Sequence, residues 1–482
     1  MPLANQSVTS KYPGELTFAD GLDRFDGMSD VKRFGAVGDG ETDDGEAIRH
    51  AVEEGDGVLR FPPGEYRVTE TVEIPLSEHG PCGLEGSGGT ARIIMAGPGP
   101  AFRLVGEHGG TGDPGSRKGN VETTQRLPTA RNLEVAGDHP EADGFELVRT
   151  MQAVFEGVLV TRCRHGIHLV ERNRNIILSN CHLYFNTGAG LYLDGVNLHQ
   201  INVTGCHLSY NRLGGIRIER FEIRNLQITG NDIEYNNHRS HKSEPEPTAE
   251  IFIDASAPEA SVNEVIIASN TIQATNSPGG CNLLVKETPD NSRPPGLFAV
   301  TGNVIGSQEN NVRLVGCYGV TLSGNTIYSC SHRNLLVQDS RLINVTGNIF
   351  RRHVSRYGTG ARFERSSEVT FASCSILDET EEGEEGLEAL LELEACERVN
   401  VSGSQFTNGA PASIAARDCS HVTVTSCSLH DVREKPKAVN AVKFTGKGGG
   451  HLVAMNSIGP TSGPPISGEY ARTEGNVIPE ES

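Results

Sequence analysis

Apolar and polar residues alternate in short bursts along most of the chain, and each burst ends at a small polar residue. The segments "INVTGCHL" (201 to 208), "LQITGNDI" (226 to 233), "VTLSGNTI" (320 to 327), "INVTGNIF" (343 to 350) and "VTVTSCSL" (422 to 429) are versions of one pattern. Taking the Asn, Cys or Ser as anchor gives Cys181, Cys206, Asn231, Asn270, Asn303, Asn325, Asn348, Cys374, Ser404, Cys427 and Asn456, spaced 22 to 39 residues apart. Every anchor has an apolar residue three before it and another two after it. Five before it the residue is again apolar, except in the last repeat, where His451 stands. Period-two alternation closed by a bend predicts a strand and a turn in each repeat.

A second strand precedes each anchor strand: "GLYLDG" (190 to 195), "GIRIER" (215 to 220), "EIFIDA" (250 to 255), "NLLVKE" (282 to 287), "NVRLVG" (311 to 316) and "NLLVQD" (334 to 339). Each repeat is therefore one coil of two or three short strands. A unit of this size cannot bury its apolar face alone, so the coils must stack, each strand pairing with its equivalents above and below. The result is a parallel β-solenoid. An anchor Asn at the same bend of successive coils stacks on itself, amide bonding amide, and a Cys there serves as a small hydrophobe. Cys317, Cys396 and Cys419 recur at a second bend and read the same way.

A solenoid needs caps at its ends. "GDGETDDGEAI" (38 to 48) has the carboxylates of a calcium loop, but Asp44 and His50 stand where such a loop needs its glycine and its last glutamate. It predicts a helix start instead, with Asp43 as N-cap, Glu46 as the returning carboxylate, and Ala47, Ile48, Ala51 and Val52 as one apolar stripe over the first coil. "VKRFGAVGDGETDDGEAI" followed by "GVLRFPPGEY" (57 to 66) resembles the start of the pectate-lyase-like right-handed β-helix family, which includes rhamnogalacturonases, polygalacturonases and polyuronate epimerases. The resemblance implies an all-β, single-stranded right-handed parallel β-helix with a short N-terminal capping α-helix. The expected layout is an extension (1–30), a cap with the helix (31–56), the β-helix (57–478) and a tail (479–482). The polygalacturonase catalytic set is not present on the coils; its nearest approaches are His165-Gly166 and Arg217-Ile218-Glu219. "EGSGGT" (85 to 90) reads as a turn between early coils, since no amphipathic helix follows it.

Composition supports this picture: 57 glycines, no tryptophan and few aromatics suit many short strands and turns. The net charge of -20 excludes non-specific binding to nucleic acid or to an anionic membrane. No run approaches a membrane span, and the N-terminus carries no export signal pattern. Eleven cysteines without CxxC pairs signal neither a zinc site nor a disulfide framework, so buried free thiols are expected.

Outward residues on stacked strands form columns, one side chain per coil, about 4.8 Å apart. One column reads Val170, Asp194, Glu219, Asp254, Lys286, Val315 and Gln338, and beside it run His168, Tyr192, Arg217, Phe252, Leu284 and Arg313. Asp194, Glu219 and Asp254 are the candidate catalytic acids, with mutual repulsion expected to raise one of their pKa values. Tyr192, Arg217, Lys286, His238 and Arg239 are the candidate substrate contacts. The insertions 237–249, 257–264 and 288–296 wall these coils, and Arg220, Arg224, His241, Lys242 and Arg293 add a local basic excess. A second cluster, Arg351, Arg352, His353, Arg356 and Tyr357, lies in one long turn without an acidic partner beside it and is a second candidate for binding sulfate or carboxylate, and 378–388 reads as a solvated acidic loop.

The expected partner is an acidic polysaccharide or oligosaccharide, lying along the solenoid axis and cut by glycoside hydrolysis or β-elimination. A polyuronate C5-epimerase and a non-catalytic solenoid binding glycans or proteins are the alternatives. No cofactor is indicated; a divalent cation such as calcium, held by the acids, could neutralise a uronate carboxylate in place of Arg217 or Lys286.

Overall fold

The computed structural model describes residues 29–110, 113–116, 118–236, 248–287, 293–383, 385–468 and 471–478. Its strands form a 30-stranded and a 16-stranded sheet, and the paired strands of both are parallel, each joined to its equivalents one coil away. The coils share one apolar core that runs unbroken from Val31 to Ile458. Registers follow the sequence repeat: Ile167, Leu191, Ile216, Ile251 and Leu283 pair in turn and point inward. Two coils depart from the expected short strands. Ile167–Ser179 and Leu191–Thr204 run on without a break and join two faces of the solenoid into the larger sheet.

The anchors stack as their spacing predicts. Each Asn donates through Nδ2 to the next Asn Oδ1: Asn231 to Asn270 at 3.0 Å, Asn270 to Asn303 at 2.9 Å, Asn303 to Asn325 at 2.9 Å and Asn325 to Asn348 at 2.8 Å. Where the ladder meets cysteine, sulfur takes the acceptor role, and the Asn348 amide N–H points at Cys374 Sγ at 3.4 Å. The residue before each of these anchors is left-handed, as at Gly230, Ser269, Gly302, Gly324 and Gly347 with φ of 57° to 68°. A single residue at positive φ makes the bend, which explains the recurrent Thr-Gly-Asn. All eleven cysteines are buried and free.

The opening helix is present at Gly45–Glu54, with Ile48, Ala51 and Val52 buried. It packs on the 3-10 turn Val31–Phe34 and on the strand Val72–Pro75. Its cap differs from expectation. The boundary residue is Asp44, and its buried carboxylate accepts from the Val37 and Gly38 amides at 2.6 and 3.1 Å instead of capping the helix. Asp43 accepts from Gly45 N at 3.0 Å, while Asp39–Asp43 is itself a strand paired with Gly64–Val68. The acidic stretch is thus a folded element that closes the end of the solenoid.

Candidate functional site

The predicted column forms in register: Asp194 lies beside Glu219, Glu219 beside Asp254, and Asp254 beside Lys286. Its neighbours Tyr192, Arg217, Phe252 and Leu284 pair in the same order. Period-two alternation puts both rows on the outer face, because the intervening Leu191, Leu193, Ile216, Ile218, Ile251 and Ile253 fill the core.

The electrostatics differ from expectation. Each acid has its own cation. Arg217 grips Glu219 with two bonds of 2.8 and 2.7 Å, Lys286 reaches Asp254 at 2.8 Å, and Arg220 pairs with Asp194. Partial burial acts to raise the Asp254 pKa, but hydrogen bonds from Lys286 and Ser256 outweigh it, so this carboxyl is held below its ordinary value. The repulsion argument therefore fails at Asp254, because compensating cations come from the neighbouring coil. These cations already neutralise the acids, and Arg217 and Lys286 meet a substrate carboxylate only by exchanging partners. Arg217 and Lys286 also lie over the Phe252 ring, at 4.4 and 5.3 Å from its centroid.

Upstream, the rows continue into groups whose role the sequence did not disclose. His168 stacks on Tyr192 with ring centroids 5.0 Å apart and planes 7° apart, and His165 lies 4.8 Å from the same ring. His168 stands between two carboxylates, with Nδ1 3.6 Å from Glu146 and Nε2 3.4 Å from Asp194. Burial pushes His165 down to about 4, and burial lowers His168 as well, against the pull of Glu146 and Asp143. Both imidazoles are neutral at pH 7. The Tyr192 hydroxyl donates to Glu219 Oε2 at 2.9 Å and lies 3.2 Å from Arg220; burial and the Glu219 charge push it up to about 12. Glu146 pairs with His168 in the β register, so it was legible as one more step of the column.

His238 and Arg239 lie outside the described residues, as do His241 and Lys242. Of the expected insertion 257–264, the part from Ser261 onward is strand, within Ser261–Ala268. The second cluster is corrected too: Arg351 pairs with Glu379 at 2.6 Å and Arg352 with Asp378 at 3.0 Å. These acids come from 378–388, so that segment is not wholly a solvated loop. Asp378 is buried between Arg352 and Arg433.

The family model described as "Right handed beta helix region" matches residues 120–288 and 297–458. The chain belongs to the right-handed β-helix family. Among solved structures, a tailspike protein of E. coli bacteriophage HK620 matches with a TM-score of 0.58 and 13% identity, covering 88% of this chain and 80% of that one. The Azotobacter vinelandii mannuronan C-5 epimerase AlgE4 A-module matches with a TM-score of 0.45 and 14% identity, covering 92% and 99%. The Streptococcus pneumoniae surface protein and adhesin PfbA matches with a TM-score of 0.39 and 15% identity, covering 88% and 99%. At these identities the likeness is one of fold. No curated protein matches the sequence. Among the described residues, no helix is long and apolar enough to cross a membrane.

Proposed function

We propose that the face centred on Tyr192 binds an acidic polysaccharide and cleaves it by β-elimination. The observation that carries this reading is the pairing of neutral imidazole with a protonated tyrosine beside carboxylates that are already ion-paired. Hydrolysis needs a carboxyl that keeps its proton as general acid. An acid gripped by its own cation is poorly suited to that role. Elimination needs a base for the proton at sugar C5, an acid for the leaving oxygen at C4, and positive charge near the uronate carboxylate.

His168 supplies the base, and because Nδ1 faces Glu146 and Nε2 faces Asp194, one ring nitrogen must turn from its carboxylate to meet the C5 proton. When it takes the C5 proton it becomes an imidazolium between Glu146 and Asp194, where two carboxylates stabilise it. The electron pair of the C5–H bond forms the C4–C5 double bond as the C4–O bond breaks, and the Tyr192 hydroxyl protonates the departing oxygen. Arg220, with more than half of its side chain exposed, and Lys286 are the cations nearest solvent for the substrate carboxylate. Asp194, Glu219 and Asp254 then act as positioning residues for His168, for Tyr192 and for Lys286. The tailspike neighbour is solved with a pentasaccharide, which agrees with a glycan ligand on this fold.

Polyuronates incubated with the protein should give new reducing ends together with ultraviolet absorbance of an unsaturated product. His168→Gln and Tyr192→Phe should each lower turnover about 100-fold or more while substrate binding persists. Reducing ends without the absorbance would return the reaction to the carboxylates, which stand about 5 Å apart in adjacent coils. Tight binding with neither product would mean a glycan-binding solenoid.

A further inference from the structure

A second set of side chains meets on the 16-stranded sheet, away from the Tyr192 column. His182–Tyr184, His207–Ser209 and Asp232–Glu234 are equivalent three-residue strands of successive coils. In each the middle residue is a core Leu or Ile, so the flanking residues face outward. The register pairs His207 with Asp232 and Ser209 with Glu234.

His207 Nε2 lies 3.4 Å from Asp232 Oδ2 and 3.9 Å from Glu234 Oε1, and one ligand atom from each of the three falls within 4.8 Å of the others. A tetrahedral ion with bonds of about 2.0 to 2.1 Å places its ligand atoms about 3.4 Å apart. The first separation meets that spacing, and the second closes to it with a small turn of the Glu234 carboxylate.

Two independent features point to a ligand. The Oγ of Ser209, which is 1% exposed and sits directly over Glu234 in the register, is buried and makes no hydrogen bond, and His207 Nε2 has no hydrogen bond and faces only the two carboxylates. Glu234 is also held from behind. Its Oε2 accepts from Gln273 Nε2 at 3.0 Å, and Gln273 Oε1 accepts from the Tyr328 hydroxyl at 2.9 Å. Tyr328 can lean back to reach Gln273 because Gly306 stands between them; a Cβ there would come within 2.3 Å of the ring. Metal-binding carboxylates are oriented by such outer hydrogen bonds, which leave one oxygen free for the ion.

We propose that His207, Asp232 and Glu234 form a binding site for a divalent transition-metal ion of the zinc type. One imidazole and two carboxylates suit zinc better than magnesium or calcium, which prefer all-oxygen cages. Three protein ligands leave at least one position open. The His207 and Asp232 side chains are 40% and 45% exposed, so that position faces solvent and would take water or a sugar hydroxyl.

The test uses the full chain stripped of metal with a chelator and titrated calorimetrically with zinc ion alone. One equivalent should bind, and His207→Ala or Asp232→Asn should each weaken that event more than 10-fold. Tyr328→Phe, which touches no ligand atom, should weaken it about 10-fold by freeing Gln273. Unchanged melting of the metal-free variants would show that the fold is intact. Cobalt in place of zinc should give visible bands without the intense thiolate absorption that cysteine ligation would add. Zinc uptake that survives His207→Ala unchanged, thiolate bands with cobalt, or no stoichiometric uptake would each overturn the proposal.

Discussion

A second polar ladder, Asn186, Asn211 and Asn236, ends on a carboxyl instead of an amide. Glu250 is fully buried, and its Oε2 accepts from both the backbone N–H and the Nδ2 of Asn236, while its Oε1 makes no hydrogen bond. Burial raises its pKa well above the ordinary value of 4.5, against the two bonds from Asn236. A carboxyl raised in the folded state contributes stability below its unfolded pKa and loses it as pH climbs through the folded one. The protein should therefore lose melting temperature through this residue as pH rises above 4.5. Glu250→Gln keeps the acceptor and cannot ionise. Calorimetry should find variant and parent close at pH 4, with the variant a few degrees more stable at pH 8. Equal differences at both pH values would show that the Glu250 pKa is the same in the folded and unfolded chain, against the raised value.

At the scale of the element, the bend carrying the anchor ladder is the unit that repeats most faithfully. Asn303 accepts from Asn270 N and Nδ2, and donates to Ile267 O and to Asn325 Oδ1, all between 2.9 and 3.0 Å. Alanine there would leave these buried partners unsatisfied, at a cost on the order of 4 kcal/mol. Cysteine should cost about half as much, because Cys374 already shows sulfur accepting at the equivalent bend. Denaturant midpoints of Asn303→Ala and Asn303→Cys check the order. Periodicity alone made the anchors legible, since an amide that must face its own copy recurs at a fixed place in each repeat. The left-handed residue before them was present in the sequence as Gly, Ser or Asn, and as Met455 at the last anchor, but only backbone dihedrals give it meaning. The N-cap was misplaced for a related reason: five acids in one stretch offer several caps, and packing against Val37 and Gly38 selects which one turns inward.

For the whole molecule, a core continuous from Val31 to Ile458 means that each coil is stable only against its neighbours. Phe350, Phe371 and Phe406 stack inside successive coils with centroids 5.9 and 6.1 Å apart. Phe350→Ala should cost about 3 to 5 kcal/mol. Hydrogen exchange should then rise first in the adjoining coils rather than uniformly along the solenoid. Uniform loss would show that the coils unfold as one cooperative unit.

The sequence by itself determined the solenoid, its register and the membership of the outward rows, because strand alternation and coil length translate directly into which residues stack. The rows Asp194, Glu219, Asp254, Lys286 and Tyr192, Arg217, Phe252 follow from that arithmetic. Only the tertiary structure decided how those groups behave. Arg220 reaches Asp194 across a coil, His165 and His168 close over Tyr192, and Glu379 comes to Arg351 from the next turn. Side-chain reach, burial and rotamer fix charge pairing and proton affinity, and none of these has a period that a linear pattern can carry.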